Sequence, residues 1–210
     1  MLYYAKALVT LKGGRLVPAK KTFSDDQVVE KIMRLFWERG YYHTSMDEIV
    51  TTSGVKKQSL YNALGDKHTL YLKALQRYHQ QTLMHCAQAM QQLEQAGETP
   101  LTVLGMLFSF DLTTPDHPAG DLMANAVAEF ANTDHDVQQA TQAFYDDYRT
   151  LMAAAILKGQ ASQVISAQPT SQVLAQSLLE ARIGLQTSLR QGQTIDVAQR
   201  EQLWLQFLRA

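Results

Sequence analysis

The 210-residue chain contains little of what several protein classes require. It has one cysteine, Cys86, and so cannot form an intramolecular disulfide, which argues against a disulfide-stabilised secreted domain. No apolar run approaches the roughly 18 residues of a membrane-spanning helix. The first eleven residues are fairly apolar but carry Lys6, and they lack the longer apolar stretch and the cleavage site of a signal peptide. We therefore expect a globular, cytoplasmic chain with no membrane partner.

The sequence also lacks the motifs of common catalytic sites. It has no glycine-rich phosphate loop, no G-x-S-x-G, no H-E-x-x-H and no pair of cysteines. We therefore expect no enzyme, no catalytic residue, no cofactor and no resident metal. A soft-metal or thiol site at Cys86 is the alternative, and packing, capping and turn roles compete with it. The other residues that could draw a metal are His79, His85, Asp116, His117, His135 and Asp136.

A formal net charge of −1 conceals an uneven distribution. Residues 1–80 carry 13 basic and 7 acidic side chains, a balance of +6, whereas residues 81–210 carry 6 and 13, a balance of −7. A basic N-terminal third suits DNA binding, since the neutralisation of phosphates supplies much of the affinity. Chance segregation of surface charge is the alternative interpretation.

Residues 45–67 are the most informative segment and predict two short helices joined by a tight turn. Ser45 and Glu48 have the spacing of a capping box, which starts the first helix. Gly54 follows, and glycine tolerates the positive φ of a tight turn. An inward face of Val55, Leu60 and Ala63 leaves polar side chains outside, as in a helix-turn-helix that enters a DNA major groove. Those outward residues are Lys56, Lys57, Gln58, Ser59, Tyr61 and Asn62. An ordinary helix pair with a solvated polar face is the alternative.

This segment resembles a known family. The strings at residues 40–50, 53–61 and 65–67, with the preceding residues 35–40, are similar to the N-terminal domain of TetR-type (tetracycline-repressor-like) transcription regulators. Residues 118–129 resemble, more weakly, a stretch in the C-terminal domain of one subgroup. Three positions depart from the family pattern: Leu64 replaces a usual Phe, Val50 a small residue, and Asp121 a frequent Cys.

The resemblance implies an all-α fold of about nine helices, with an N-terminal three-helix helix-turn-helix domain and a C-terminal helical domain for ligand binding and dimerisation. We place a flexible arm at 1–22, the DNA-binding domain at 23–70 and the effector-binding and dimerisation domain at 71–210. The apolar spacing and the capping, proline and glycine residues predict helices at about 24–39, 45–53, 55–64, 66–95, 101–112, 120–131, 133–161, 170–190 and 196–208. A second capping box is expected at Ser24 and Gln27.

Resemblance and side-chain chemistry together suggest DNA contacts. Ser45, Tyr61 and Lys67 match phosphate-binding positions of the family, and helix N–H groups near Ser45 can bind the same group. Lys57 suits guanine and Gln58 suits adenine. For Asp47, a cytosine contact and an inward capping role both remain open. The remaining candidates for backbone or flanking-base contacts are Lys56, Ser59 and Asn62. For Lys12, Arg15, Lys20 and Lys21 of the arm, contact with the adjacent minor groove and solvated disorder both remain open.

The C-terminal residues suggest two further partners. The last two predicted helices are apolar on more than one side, which favours a dimer interface over a purely intramolecular core. The residues predicted for that interface are Leu174, Leu178, Leu185, Leu189, Trp204 and Phe207. Apolar residues with a few polar anchors between the fourth and seventh helices could line an effector pocket, although each could equally be core. The candidates are Met84, Phe108, Asp111, Asn125, Glu129, Phe144 and Tyr148.

We therefore expect a sequence-specific DNA-binding transcription regulator, a homodimeric repressor that binds a palindromic operator in double-stranded DNA and is released from it by a small-molecule effector. A thiol- or metal-responsive regulator on the same scaffold, acting through Cys86, is the alternative.

Overall fold

A computed structural model describes residues 8–10, 16–18, 24–112, 118, 120–130 and 132–210. Within these residues the fold is all-α, as predicted, apart from two three-residue strands, β1 (Leu8–Thr10) and β2 (Leu16–Pro18). The strands pair antiparallel, with Val9 opposite Val17. No strand was predicted here from the sequence pattern. Lys12, Arg15, Lys20 and Lys21, the predicted minor-groove group, lie outside the described residues.

Nine helices account for the rest of the regular structure that is described. They are α1 (Asp25–Arg39), α2 (Met46–Ser53), α3 (Lys57–Leu64), α4 (Lys67–Gln95), α5 (Pro100–Ser109), α6 (Leu122–Phe130), α7 (His135–Ala161), α8 (Ser171–Arg190) and α9 (Val197–Leu208). We call α1–α3 the helix-turn-helix unit and α4–α9 the body. No helix of the described residues is long and apolar enough to cross a membrane.

Local sequence signals start most of these helices. The carboxylates of Asp66 and Asp134 accept hydrogen bonds from Thr69 N and Val137 N, at 2.8 and 3.0 Å. The expected capping box at Ser24 is wrong, because the Ser24 side chain makes no capping bond and only its carbonyl accepts from Val28 N. Two helices are shorter than expected. The helix predicted at 101–112 corresponds to α5, which begins at Pro100 and ends at Ser109. The helix predicted at 120–131 corresponds to α6, which begins after Asp121.

A single apolar core connects the unit to the body. Ile32 and Phe36 of α1 pack with Ile49 of α2 and Leu60 of α3, and all four are fully buried. The other side of α1 packs along α4, whose 29 residues extend from the unit into the body. Within the body, α7 packs against α4, α5, α6 and α8, while α9 packs against α5. The helix α4 is therefore shared by both parts.

Candidate nucleic-acid interface

The turn between α2 and α3 has the geometry that its sequence requires. Gly54 adopts φ +71° and ψ 13°, and its N–H donates to Val50 O at 3.1 Å. Ser53 Oγ accepts from Val55 N at 3.2 Å, which closes the turn. A side chain at position 54 would be strained because this left-handed conformation suits glycine. With Val55 and Leu60 buried beneath it, α3 is held in one orientation.

The capping box at the start of α2 is complete. Ser45 Oγ accepts from Glu48 N at 3.2 Å, and Ser45 N donates to Glu48 Oε2 at 2.8 Å. These bonds lower the pKa of Glu48, which also pairs with Arg39 of α1. The carboxylate therefore remains charged and holds α2 in register with the end of α1.

The outward face of α3 is as predicted. All six polar side chains assigned to it are exposed, from Lys56 through Asn62, whereas Leu60 between them is fully buried. The inward face differs slightly, since Ala63 is half-buried and Leu64 is buried. Leu64 therefore fills the core position where the resemblance led us to expect a Phe.

Two of the predicted base-contacting residues have partners within the unit. Lys57 Nζ lies 3.0 Å from Asp47 Oδ1 of α2, with the two side chains 57% and 85% exposed. The hydrogen bond and charge of Asp47 raise the pKa of Lys57. Gln58 Nε2 donates to Asn62 Oδ1 at 3.0 Å, one turn along the same helix. DNA would have to replace these exposed contacts to engage either side chain.

Lys67 begins α4 beside the turn that follows α1. Its ammonium lies 4.1 Å from the centre of the Tyr41 ring, a cation–π contact. Burial lowers the pKa of Lys67, and the negative charges of Glu129 and Glu48 oppose that shift. The predicted phosphate-binding lysine is thus held against an aromatic face, next to an acidic residue from the body.

Glu129, predicted as an anchor for a ligand, instead lies at the junction between the body and the helix-turn-helix unit. Its Oε2 accepts from Tyr41 N at 2.7 Å and from Tyr42 N at 3.2 Å. Gly40 allows this approach, because a Cβ there would stand 2.4 Å from Glu129 Oε1. The next residue, Phe130, packs its ring 4.9 Å from that of Tyr41. The end of α6 therefore holds the turn before α2 directly.

A second contact joins the start of α4 to the start of α7. His68 Nε2 lies 2.8 Å from Asp134 Oδ2. With Asp136 they form a group whose possible ligand atoms lie within 4.8 Å of one another. The carboxylate of Asp134 already caps α7, and the positive ends of α4 and α7 meet here, which opposes a cation. We therefore interpret the pair as a structural contact, one that sequence analysis missed because His68 and Asp134 are distant in the chain.

A polar cluster is buried in the body. Arg182 of α8 is 2% exposed and donates to Phe108 O and Phe110 O at 2.7 and 2.6 Å, at the end of α5. Its guanidinium also lies 5.0 Å from the centre of the Tyr148 ring. Asp121, equally buried, caps α6 through Ala124 N. Burial raises the pKa of Asp121, against that hydrogen bond and the positive charge of Arg182.

This cluster explains one departure from the family pattern and reveals residues that the sequence did not single out. Asp121, where the subgroup often has Cys, starts α6 and faces the charge of Arg182. Arg182 was missed because an arginine among leucines in an amphipathic helix is typical of a solvated side. The signal that could have found it is its place within an otherwise apolar stripe.

The predicted effector residues occupy different environments. Phe108, Phe144 and Tyr148 lie together in the buried centre of the body, where Tyr148 OH donates to Leu107 O at 2.6 Å. Asn125 is buried against α1, its amide 3.5 Å from Trp37 O. Met84 is 49% exposed on α4, and Asp111 follows α5 with φ +58°. The structure thus brings three of the seven together and places the other four elsewhere.

Cys86, the residue of the alternative hypothesis, is fully buried in α4. Its Sγ lies 3.9 Å from Tyr148 OH. Burial raises the pKa of the thiol to about 11, against the hydrogen bond with Tyr148. At neutral pH the group is therefore a protonated thiol, whereas reaction with oxidants or soft metals requires a thiolate.

The predicted dimer residues are distributed between core and surface. Leu178 is buried, whereas Leu174, Leu185, Leu189 and Trp204 are half-buried and Phe207 is 71% exposed. Val173 and Leu203 are further large apolar side chains exposed on α8 and α9. These two helices therefore present apolar surface that the described residues of the chain leave exposed.

Comparison with known proteins agrees with this geometry. Residues 28–74 match the family described as bacterial regulatory proteins, tetR family, a range that contains α2 and α3 and most of α1. The HTH-type transcriptional repressor ComR of Escherichia coli K12 is 26% identical over 177 residues, which cover 84% of each chain. The similarity therefore extends beyond the helix-turn-helix unit into the body and points to a regulator of transcription, not to an enzyme.

Solved structures share the whole fold. The TetR-family regulator CifR, in complex with a 26-base-pair operator, superposes with a TM-score of 0.72 and 20% identity over 90% of this chain and 98% of that one. A regulator from Saccharomonospora viridis in complex with choline gives a TM-score of 0.73 and 20% identity over 86% and 93%. The first was solved on DNA and the second with a small molecule.

Proposed function

Because this chain is a transcription regulator of the tetR family, we propose that it is a cytoplasmic homodimeric repressor that leaves a palindromic operator when a small molecule binds its body. The observation that carries the proposal is the row of exposed donors and cations on α3, a helix fixed by the Gly54 turn and by buried Val55 and Leu60. Such a helix can enter the major groove as a rigid element.

Each predicted contact has a role in this arrangement. Lys57 and Gln58, at the N-terminal end of α3, read base edges once they leave Asp47 and Asn62. Ser45, Tyr61 and Lys67 bind phosphates on the two sides of the groove. Lys56, Ser59 and Asn62 supply the remaining polar contacts, and Asp47 meets either a cytosine or Lys57.

A second copy supplies the other half of the reading surface. A palindromic site needs two recognition helices about 34–36 Å apart. The exposed apolar side chains of α8 and α9, among them Val173, Leu203 and Phe207, support a two-fold interface between copies. The basic N-terminal third would then face DNA twice while the acidic body stays away from it.

A small molecule in the body would act through the junction with the helix-turn-helix unit. Phe108, Phe144 and Tyr148 surround the buried centre of the body, and the neighbouring α6 ends in Glu129 and Phe130, which hold Tyr41. A ligand that favours a different position of α6 shifts this contact, and release of DNA requires such differential affinity for two states. The S. viridis regulator, which shares this fold, was solved in complex with choline, and this supports a small-molecule ligand for the present chain.

DNA binding by matched variants tests the proposal. Fluorescence anisotropy with sequences selected from a random duplex pool should give a palindromic site, and Lys57→Ala should weaken it by about 5- to 150-fold, the effect of one good base contact. Lys158→Ala, an exposed lysine of α7 that pairs with Glu94, controls for lost charge and should change little. A chain that remains monomeric in sedimentation and selects no sequence at low salt would contradict the proposal.

A further inference from the structure

The last turn of α8 contacts the last turn of α1, although the two residues that meet are 152 positions apart. Arg190 Nη2 donates to Glu38 O at 3.0 Å. A helix leaves its last four carbonyls without a helical donor, and Tyr42 N, four residues after Glu38, donates to Glu129 instead. A cation is also favoured at this end of α1, where the backbone dipoles leave a partial negative charge. Arg190 therefore supplies both a donor and a charge to the end of α1.

Gly120 links the same two helices a second time. Its carbonyl accepts a buried hydrogen bond from Trp37 Nε1 of α1 at 2.9 Å. The same residue packs closely on α8, since a Cβ at this position would stand 3.1 Å from Gln186 O and 3.4 Å from Arg190 Cβ. The end of α1 is therefore held against the end of α8 by a charged side chain and by a closely packed glycine.

The helix α8 also carries part of the surface proposed for the homodimer. Val173 is exposed near its start, and Leu185 and Leu189, within two turns of Arg190, are half-buried. Its 20 residues extend over about 30 Å. A helix that packs against its own copy is fixed relative to the two-fold axis. A contact at the end of that helix therefore fixes the attached helix-turn-helix unit relative to the same axis.

The other contacts between the unit and the body act through α4 and α6. The chain continues from the unit into α4, and Glu129 and Phe130 of α6 hold the turn before α2. The predicted dimer residues all lie on α8 and α9, so these contacts reach the dimer axis only indirectly. The bond between Arg190 and Glu38, in contrast, joins a helix of the proposed dimer interface directly to the unit.

We propose that Arg190 is a positioning residue for DNA recognition, which sets the orientation of the helix-turn-helix unit relative to α8 and so the separation of the two α3 helices in the dimer. This inference rests on the homodimer and the operator proposed above. Half-sites one turn of DNA apart need recognition helices about 34–36 Å apart, and each added base pair increases that distance by about 3.4 Å. The chain therefore prefers one spacing of half-sites, and loss of Arg190 relaxes the preference.

Operators of altered spacing test this role on the full chain. Fluorescence anisotropy compares the selected palindrome with duplexes that have one base pair more or less between the half-sites, and with a duplex that carries a single half-site. Arg190→Met should reduce the preference for the selected spacing by about two- to tenfold, the effect of one net hydrogen bond. It should leave the affinity for the single half-site unchanged. Arg190→Lys keeps a donor and the charge, so it should retain more of the preference than Arg190→Met does.

Lys158→Met is the matched control, because it also removes one exposed positive charge. Lys158 lies on α7 and pairs with Glu94 near the end of α4 that is far from the unit. The spacing preference of this variant should equal that of the parent chain. Circular dichroism shows whether each variant is folded, and sedimentation shows whether it forms a dimer.

The inference is overturned if Arg190→Met keeps the spacing preference of the parent chain, or if Arg190→Lys loses as much of it as Arg190→Met. It is overturned equally if affinity for the single half-site falls as much as that for the palindrome. Arg190 would then act within one unit, as a phosphate contact if the slope of log K against log salt falls by about 0.9. A parent chain that is monomeric or selects no palindrome overturns the proposed function and this inference with it, whereas a parent chain that prefers one spacing isolates the role of Arg190.

Discussion

The recognition surface and the centre of the body use polar side chains in opposite ways. On α2 and α3 the polar groups are exposed and bond to partners at most ten residues away, such as Lys57 to Asp47 and Gln58 to Asn62. In the body, Arg182 is buried and bonds to carbonyls 74 and 72 residues away. The exposed groups of α2 and α3 therefore remain available to a partner, whereas the hydrogen bonds of Arg182 hold α5 and α8 together.

Replacement of the buried Arg182 should destabilise the body, and this is the largest effect that we expect. Arg182→Met leaves Asp121 without its nearby positive charge and the carbonyls of Phe108 and Phe110 without the arginine donors, so we expect the free energy of unfolding to fall by about 3–5 kcal/mol. Chemical denaturation followed by circular dichroism measures it. Arg200→Met, an exposed arginine of α9, should change stability by less than about 0.5 kcal/mol.

Asp121, which faces the charge of Arg182, provides a further check. Asn at position 121 can still cap α6, so the double variant Arg182→Met with Asp121→Asn should lose less than the two single losses added together. Additive losses would mean that Arg182 and Asp121 act independently, against the interpretation of one buried cluster.

Substitution of Gly40 tests the junction at which Glu129 of the body contacts the helix-turn-helix unit. Gly40→Ala places a Cβ 2.4 Å from Glu129 Oε1 at φ +82°, so it should cost about 2–4 kcal/mol from backbone strain and overlap combined. Gly97→Ala has a similar φ of +78° with nothing within 4 Å, and should show the backbone cost alone, about 1 kcal/mol. Thermal and chemical unfolding of both variants measures the difference.

The Glu129 contact is responsible for that difference if truncation removes it. Gly40→Ala should therefore cost less in a Glu129→Ala background than in the parent chain, whereas the cost of Gly97→Ala should be the same in both. An unchanged cost of Gly40→Ala without the carboxylate would assign that cost to the backbone or to other neighbours and weaken the role given to Glu129 at the junction.

The difference between local and long-range contacts also explains which features could be predicted from the sequence. The caps at Ser45, Asp66 and Asp134 and the glycine at 54 act within a few residues. All nine described helices therefore start within two residues of the predicted position, and the exposed face of α3 also follows from local patterns. Glu129 shows the limit: its hydrogen bonds reach residues 87 and 88 positions away. A carboxylate near the end of an amphipathic helix gives no local sign that it will meet a distant backbone, so its role depended on tertiary packing.

The capping box tests the local signals themselves. Ser45→Ala removes the acceptor for Glu48 N and should cost about 1 kcal/mol of unfolding free energy. Ser24→Ala is the matched control, because Ser24 occupies the same position before α1 but makes no side-chain capping bond. This substitution should lower the free energy of unfolding by only about 0.3 kcal/mol. Equal losses in urea denaturation would show that the bond at Ser45 contributes nothing measurable.

The smallest expected effect concerns the exposed pair between Asp47 and Lys57. Asp47→Asn frees the lysine and removes a negative charge from the recognition surface, so binding to non-specific duplex DNA should strengthen by up to about fivefold, the limit for an exposed ion pair. The slope of log K against log salt should steepen by about 0.9 for the additional phosphate contact. Glu98→Gln makes the same change of charge between α4 and α5 and should alter neither value. If Asp47→Asn instead weakens operator binding while non-specific binding is unchanged, Asp47 contacts a base, and its pairing with Lys57 does not restrain the recognition surface.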